Sequence, residues 1–114
     1  MSYRYPATQG QRDSNEAEII AALEKVGATV EQIPTGKGVP DLLVGKDMPC
    51  PHCGAMFPQN VLEEVKPEPV KGKVFASHVK LNYRQLAWHE WWRGQKAVVR
   101  TPEEALEVIG INCN

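Results

Sequence analysis

Seven residues, 60–66 (NVLEEVK), constrain the chain more than any others. They alternate strictly, so in an extended strand Val61, Glu63 and Val65 point to one face and Leu62, Glu64 and Lys66 to the other. Glu64 and Lys66 are then neighbours on one face, about 7 Å apart along the strand. A second short strand precedes this one in VPDLLVG, where Pro40 and Asp41 open the apolar run Leu42, Leu43, Val44 before Gly45. An acid at a strand start, followed by Glu-x-Lys on a later strand, is the set that metal-assisted phosphodiester cleavage requires. Two carboxylates hold a divalent cation, and the lysine sits over the attacking water or the scissile phosphate.

The whole chain is compatible with such a site. Its 114 residues suit one domain that buries a core without staples. At 42 % hydrophobic and 24 % charged residues the composition is that of an ordinary globular protein. No run approaches a transmembrane span, and the polar start MSYRYPATQG does not read as a signal peptide, so a cytoplasmic location is expected. Three cysteines, two of them in CPHC, argue against a disulfide framework and fit a reducing compartment. The net charge of −1 hides an uneven distribution, because residues 66–100 carry eight basic against two acidic side chains. Positive charge concentrated beside a carboxylate cluster is the layout of a phosphate-binding site with metals.

Residues 1–11 lack apolar periodicity and read as a flexible arm, with Arg4, Tyr3, Tyr5 and the neighbouring Arg12 as candidate contacts to a nucleic-acid backbone. A helix is expected from Asp13 or Ser14 to Val26, stopped by Gly27. Its stripe is Ile19, Ile20, Leu23 and Val26, and Glu16 falls on the same inward face, whereas Glu18 points elsewhere beside Ala22 and Lys25. Glu16 is therefore the carboxylate placed to reach a metal; the competing role is a capping box with Asp13. ATVEQI suits a first strand. The turn PTGKGVP then brings Lys37 toward a phosphate just ahead of Asp41, without the ending of a Walker loop.

Residues 47–59 read as an insert between the two strands of the acidic set. Within it, Cys50-Pro51-His52-Cys53-Gly54 has the form of a zinc knuckle, which supplies two of the four ligands a structural zinc needs. Three arrangements stand open: a half-site completed by a second copy, a site completed by Cys113 and one of His52, His78 or His89, and a metal-free hairpin tip. The ligand count within the insert favours the last. Residues 67–80 form a long connection with Lys71, Lys73 and Lys80, a candidate DNA contact or a solvated loop. The next helix runs from Tyr83 to Arg93, capped by Asn82 and stopped by Gly94. Gln85, Trp88 and Trp92 share a face expected to pack on the sheet, burial of Trp91 in a second layer is favoured over an exposed Trp91 serving as a dimer or DNA contact, and His89 reads as a surface or packing residue. Asn82-x-x-Gln85 also fits a capping box. KAVVRT is a final strand, and a last helix runs to Ile109 with Thr101 as N-cap, Pro102 first and Glu104 third.

Pro40-Asp41 followed by Glu64-Val65-Lys66 resembles the PD-(D/E)xK nuclease motif. With GKGVPDLLVG, LEEVK and LNYRQ in order, the chain is similar to the virus-type replication-repair nuclease (VRR-NUC) branch from Arg12 to Gly110, apart from the insert. The resemblance implies an α/β fold with a restriction-endonuclease-like core, a central mixed β-sheet flanked by helices, formed by residues 12–114 as one nuclease domain. It implies Mg2+- or Mn2+-dependent hydrolysis of DNA phosphodiester bonds. Asp41 and Glu64 are then metal ligands with the carbonyl of Val65, and Glu16 serves a second metal or orients water. Lys66 stabilises the attacking hydroxide or the developing charge, and Gln85 positions the substrate. It further suggests a homodimer acting on branched DNA such as Holliday junctions. Cys50 and Cys53 stand outside the family pattern as possible ligands of a structural zinc. Two rival classes share these residues: an inactive nucleic-acid-binding module and a zinc-stabilised interaction module.

Overall fold

The computed structural model describes residues 14–34, 36–67 and 80–111. Their elements follow the expected order: α1 (Glu16–Lys25), β1 (Thr29–Gln32), β2 (Leu42–Pro49), β3 (Met56–Val65), α2 (Tyr83–Trp91), β4 (Lys96–Val99) and α3 (Pro102–Val108). The expected arm at 1–11, Lys71, Lys73, His78 and Cys113 lie outside the described residues. No helix among the described residues is long and apolar enough to cross a membrane.

The strands form one mixed sheet in the order β1-β2-β3-β4, with β1–β2 and β2–β3 antiparallel and β3–β4 parallel. A parallel step needs a crossover connection, and α2 lies in it. Residues opposite one another in register share a face. One face therefore carries Val30, Val44 and Val61 in one row and Gln32, Leu42, Glu63 and Ala97 in the next. Its buried members Leu42, Val44, Val61, Val65 and Val99 join Ile19 and Leu23 of α1, Ala105 of α3 and its C-cap Ile109 in a single core. Each aliphatic side chain so buried contributes about 1.5–3 kcal/mol. The inward stripe expected for α1 is thus the one that meets the sheet. The chain is a small α/β domain.

The opposite face carries Leu43, Glu64, Lys66 and Val98, and α2 approaches it through Gln85. Here two expectations change. None of the described residues of α2 is fully buried, and Trp88 and Trp92 stack on each other at 5.1 Å between centroids. Trp91 is 69 % exposed instead of buried in a second layer, because no described element lies over it. The helix also ends at Trp91, where Trp92 turns extended with ψ 128°.

The segment 47–59 extends β2 and β3 into one long hairpin, so both strands run past the ends expected at Gly45 and Asn60. The β2–β3 ladder continues without a break from Leu42 opposite Glu63 to Pro49 opposite Met56. The prolines at 49 and 58 signal a break in the sequence, yet both sit in the exposed outer part of the hairpin, where strands tolerate a missing N–H. Gln59 Nε2 donates to the Met48 carbonyl at 2.7 Å and adds a side-chain rung there.

Candidate active site

The start of β2 and the end of β3 meet beside the N-terminus of α2. The Asp41 N–H donates to the Glu63 carbonyl at 3.1 Å, and the Val65 N–H donates to Asp41 Oδ2 at 2.8 Å. Asp41 is thereby held against β3 between Glu64 and Lys66. In an extended strand the N–H and C=O of one residue point to the same neighbour. The Val65 carbonyl consequently faces the Asp41 side, while Lys66 N–H turns the other way to the Val99 carbonyl at 3.0 Å.

Asp41, Glu64, Lys66 and Gln85 line one cleft of about 320 Å³, together with Lys37, Arg84 and Asn82. Glu64 and Lys66 are both buried, Lys66 only 8 % exposed. The cleft thus combines two carboxylates with three cationic side chains, which suits an anionic substrate once a divalent ion is added. Its far wall is the turn at Gly36, Lys37 and Gly38, whose φ values are 124°, 58° and 82°. A left-handed lysine is strained by about 1–2 kcal/mol, a cost that tends to be retained at functional sites. Gly38 packs backbone to backbone on α2: a Cβ there would lie 2.3 Å from the Arg84 carbonyl oxygen.

The two roles expected to compete for Gln85 coexist. Its Oε1 accepts from the Asn82 N–H at 2.9 Å and Asn82 Oδ1 accepts from the Gln85 N–H at 2.9 Å, completing a capping box. Its Nε2 donates to Glu64 Oε2 at 3.1 Å. An amide has a donor end and an acceptor end, so one side chain fixes the helix start and orients the carboxylate.

Glu16 is buried, as its inward phase requires, and accepts a 2.7 Å hydrogen bond from Gln32 Nε2. It opens α1 directly after the N-cap Asn15, the first helical position and not the third that a capping box with its N-cap would need. It is not among the residues lining the cleft. Asn15, missed in the sequence, shows where it stands: Asn15 Nδ2 donates to the carbonyls of Lys66 at 3.1 Å and Arg100 at 2.7 Å. The first turn of α1 is therefore fastened to the end of β3 that carries Lys66.

Glu63 was also missed as a special group, although its alternation with Val61 and Val65 signals it. It is 0 % exposed on the core face, and neither carboxyl oxygen has a hydrogen-bond partner among the described residues. Burial pushes its pKa from 4.5 up to about 8, so the folded chain holds it protonated at neutral pH.

At the other end of the hairpin Cys50 and Cys53 are free thiols. Backbone N–H groups, first that of His52, lower the pKa of Cys50.

The donor set of the cleft fits a hard divalent cation. Two carboxylates and a main-chain carbonyl are all oxygen, and Mg2+ keeps several waters where the protein supplies few ligands. No three His, Cys, Asp or Glu side chains cluster as a metal site among the described residues, so water would complete the coordination. No family model, no curated protein and no solved structure matches the chain.

Proposed function

We propose that this chain is a metal-dependent DNA endonuclease that hydrolyses phosphodiester bonds with Mg2+ or Mn2+ on a restriction-endonuclease-like core. The observation that carries the reading is the convergence of Asp41, Glu64 and Lys66 from two paired strands on one cleft, with Asp41 locked to the Val65 N–H. Asp41, Glu64 and the Val65 carbonyl are the groups assigned to the cation. When bound, a divalent ion lowers the pKa of water and offsets charge on the phosphate. Lys66, nearly buried beside Glu64, meets the negative charge that develops in the transition state, where a low-dielectric site makes its charge count most. Lys37 and Arg84 at the cleft wall hold flanking phosphates. Gln85 keeps Glu64 in its ligating orientation, and Glu16, from the first turn of α1, orients water or serves a second ion.

The proposed substrate is DNA, branched forms such as four-way junctions included, attacked by a homodimer. Incubation with labelled single-stranded, duplex, flap and four-way-junction DNA, with and without Mn2+, tests the reading. Divalent-dependent product is expected. Binding without product on every substrate would assign the chain to a non-cleaving nucleic-acid-binding class.

A further inference from the structure

We propose that the tip of the β2–β3 hairpin is half of a tetrathiolate zinc site, completed by the same tip of a second copy of this chain. The proposal stands apart from the nuclease reading and rests on the geometry at the far end of the same two strands.

The turn at residues 50–55 is built around Cys50. Its N–H donates to the Ala55 carbonyl at 2.8 Å, its carbonyl accepts from the Gly54 N–H at 2.8 Å, and its Sγ accepts from the His52 N–H at 3.4 Å. Gly54 closes the turn at φ 77°, a conformation that few side chains tolerate. An N–H aimed at sulfur stabilises a thiolate, and a left-handed glycine lets the chain fold back so that two cysteines three apart face one point. Soft thiolates select zinc over the cations suited to the oxygen cleft. An ordinary two-residue hairpin turn would need none of these features.

Zinc takes four ligands, and Cys50 and Cys53 supply two. No further His, Cys, Asp or Glu among the described residues gathers with them. The surface around the tip indicates what brings the rest. Residues 48–62 contain no Asp, Glu, Lys or Arg. Beside the turn, Met56 is 61 % and Phe57 45 % exposed, one on each face of β3. A charge-depleted hairpin end with an exposed apolar side chain on each face, next to an incomplete ligand set, matches the centre of a protein interface. A two-fold axis through the tip presents an identical hairpin end and two more thiolates, an isologous contact that closes on itself. The ladder from Leu42–Glu63 to Pro49–Met56 is a stiff spacer of roughly 24 Å at the usual rise per residue. The dimer would therefore hold its two clefts well apart on a single rigid scaffold.

Zinc content and mass are measured on the same sample, purified without chelator, by elemental analysis and sedimentation equilibrium. The expected result is about half a zinc ion per chain in a dimer. Chelation should convert it to monomer, and Cys50→Ser and Cys53→Ser should each lose zinc and dimer while far-UV circular dichroism stays unchanged. Phe57→Glu should weaken the dimer at least tenfold with both thiols intact. Any of four results overturns the proposal: no zinc above trace after zinc is supplied, a Cys50–Cys53 disulfide in protein kept reduced, one zinc per chain in a monomer, or a dimer indifferent to chelator and to both serine substitutions.

Discussion

Replacing Glu63 with methionine should stabilise the protein, and increasingly so as pH rises. The side chain lies at 0 % exposure in a core of valine, leucine and isoleucine, with no hydrogen bond to either oxygen among the described residues. In the unfolded chain it ionises near 4.5, whereas in the folded chain it keeps its proton to about pH 8. Between those values the folded state binds more protons than the unfolded one, so stability falls with rising pH. The loss is about 1.4 kcal/mol per pH unit, reaching about 3 kcal/mol at pH 7 and levelling near 5 kcal/mol above pH 8. Below about pH 4 the group is protonated in both states and the linkage disappears. Methionine has a similar length, does not titrate and needs no hydrogen bond. Urea unfolding of wild type and Glu63→Met with chelator present, at about pH 5 and about pH 8, reads the difference directly. Glu63→Gln separates the causes: it abolishes the pH slope but still buries a polar group, and should fall between the two. An equal gap between wild type and Glu63→Met at both pH values would refute the reasoning, because a group that titrates alike in both states contributes no slope.

Glu16→Gln should lower Mn2+-dependent cleavage by about tenfold or more if it orients water or serves a second ion as proposed, whereas Glu18→Gln, exposed on α1, should match wild type in the same assay. Gln85→Ala should lose about 1 kcal/mol of stability with its cap and reduce cleavage. Gln85→Glu keeps an acceptor for Asn82 but sets a carboxylate against Glu64, so its cleavage should suffer while denaturant melts show the cap retained. Gly38→Ala, with φ at 82° and a Cβ 2.3 Å from the Arg84 carbonyl oxygen, should cost about 1–3 kcal/mol in thermal unfolding and impair cleavage together.

Much of this arrangement was legible in the residues because period and punctuation agree. The alternation of 60–66 assigned Glu63 and Glu64 to opposite faces, and the helical phase of Ile19 and Leu23 carried Glu16 inward; both follow from backbone geometry alone. The sequence sets the cap and the site in competition for Gln85, whereas its acceptor end serves the cap and its donor end serves Glu64. The hairpin was truncated at Gly45 because proline and cysteine punctuate a sequence, and only the pairing partner shows that Pro49 and Pro58 remain in register with Met56 and Asp47. The exposure of Trp91 is not legible in the sequence, since helical phase tells which side a residue occupies but not whether anything covers that side. Asn15 could not be foreseen, because its bonds run to Lys66 and Arg100, far along the chain.

The central claim is that Asp41, Glu64 and Lys66 form one hydrolytic site, and Lys66→Ala tests it most directly. The substitution leaves both carboxylates, so Mn2+ binding by calorimetry should persist, and circular dichroism should confirm the fold. Cleavage of labelled four-way-junction and duplex DNA in Mn2+ should fall at least about 100-fold, the loss typical of removing one donor aimed at transition-state charge. Cleavage by Lys66→Ala at the wild-type rate would contradict the account.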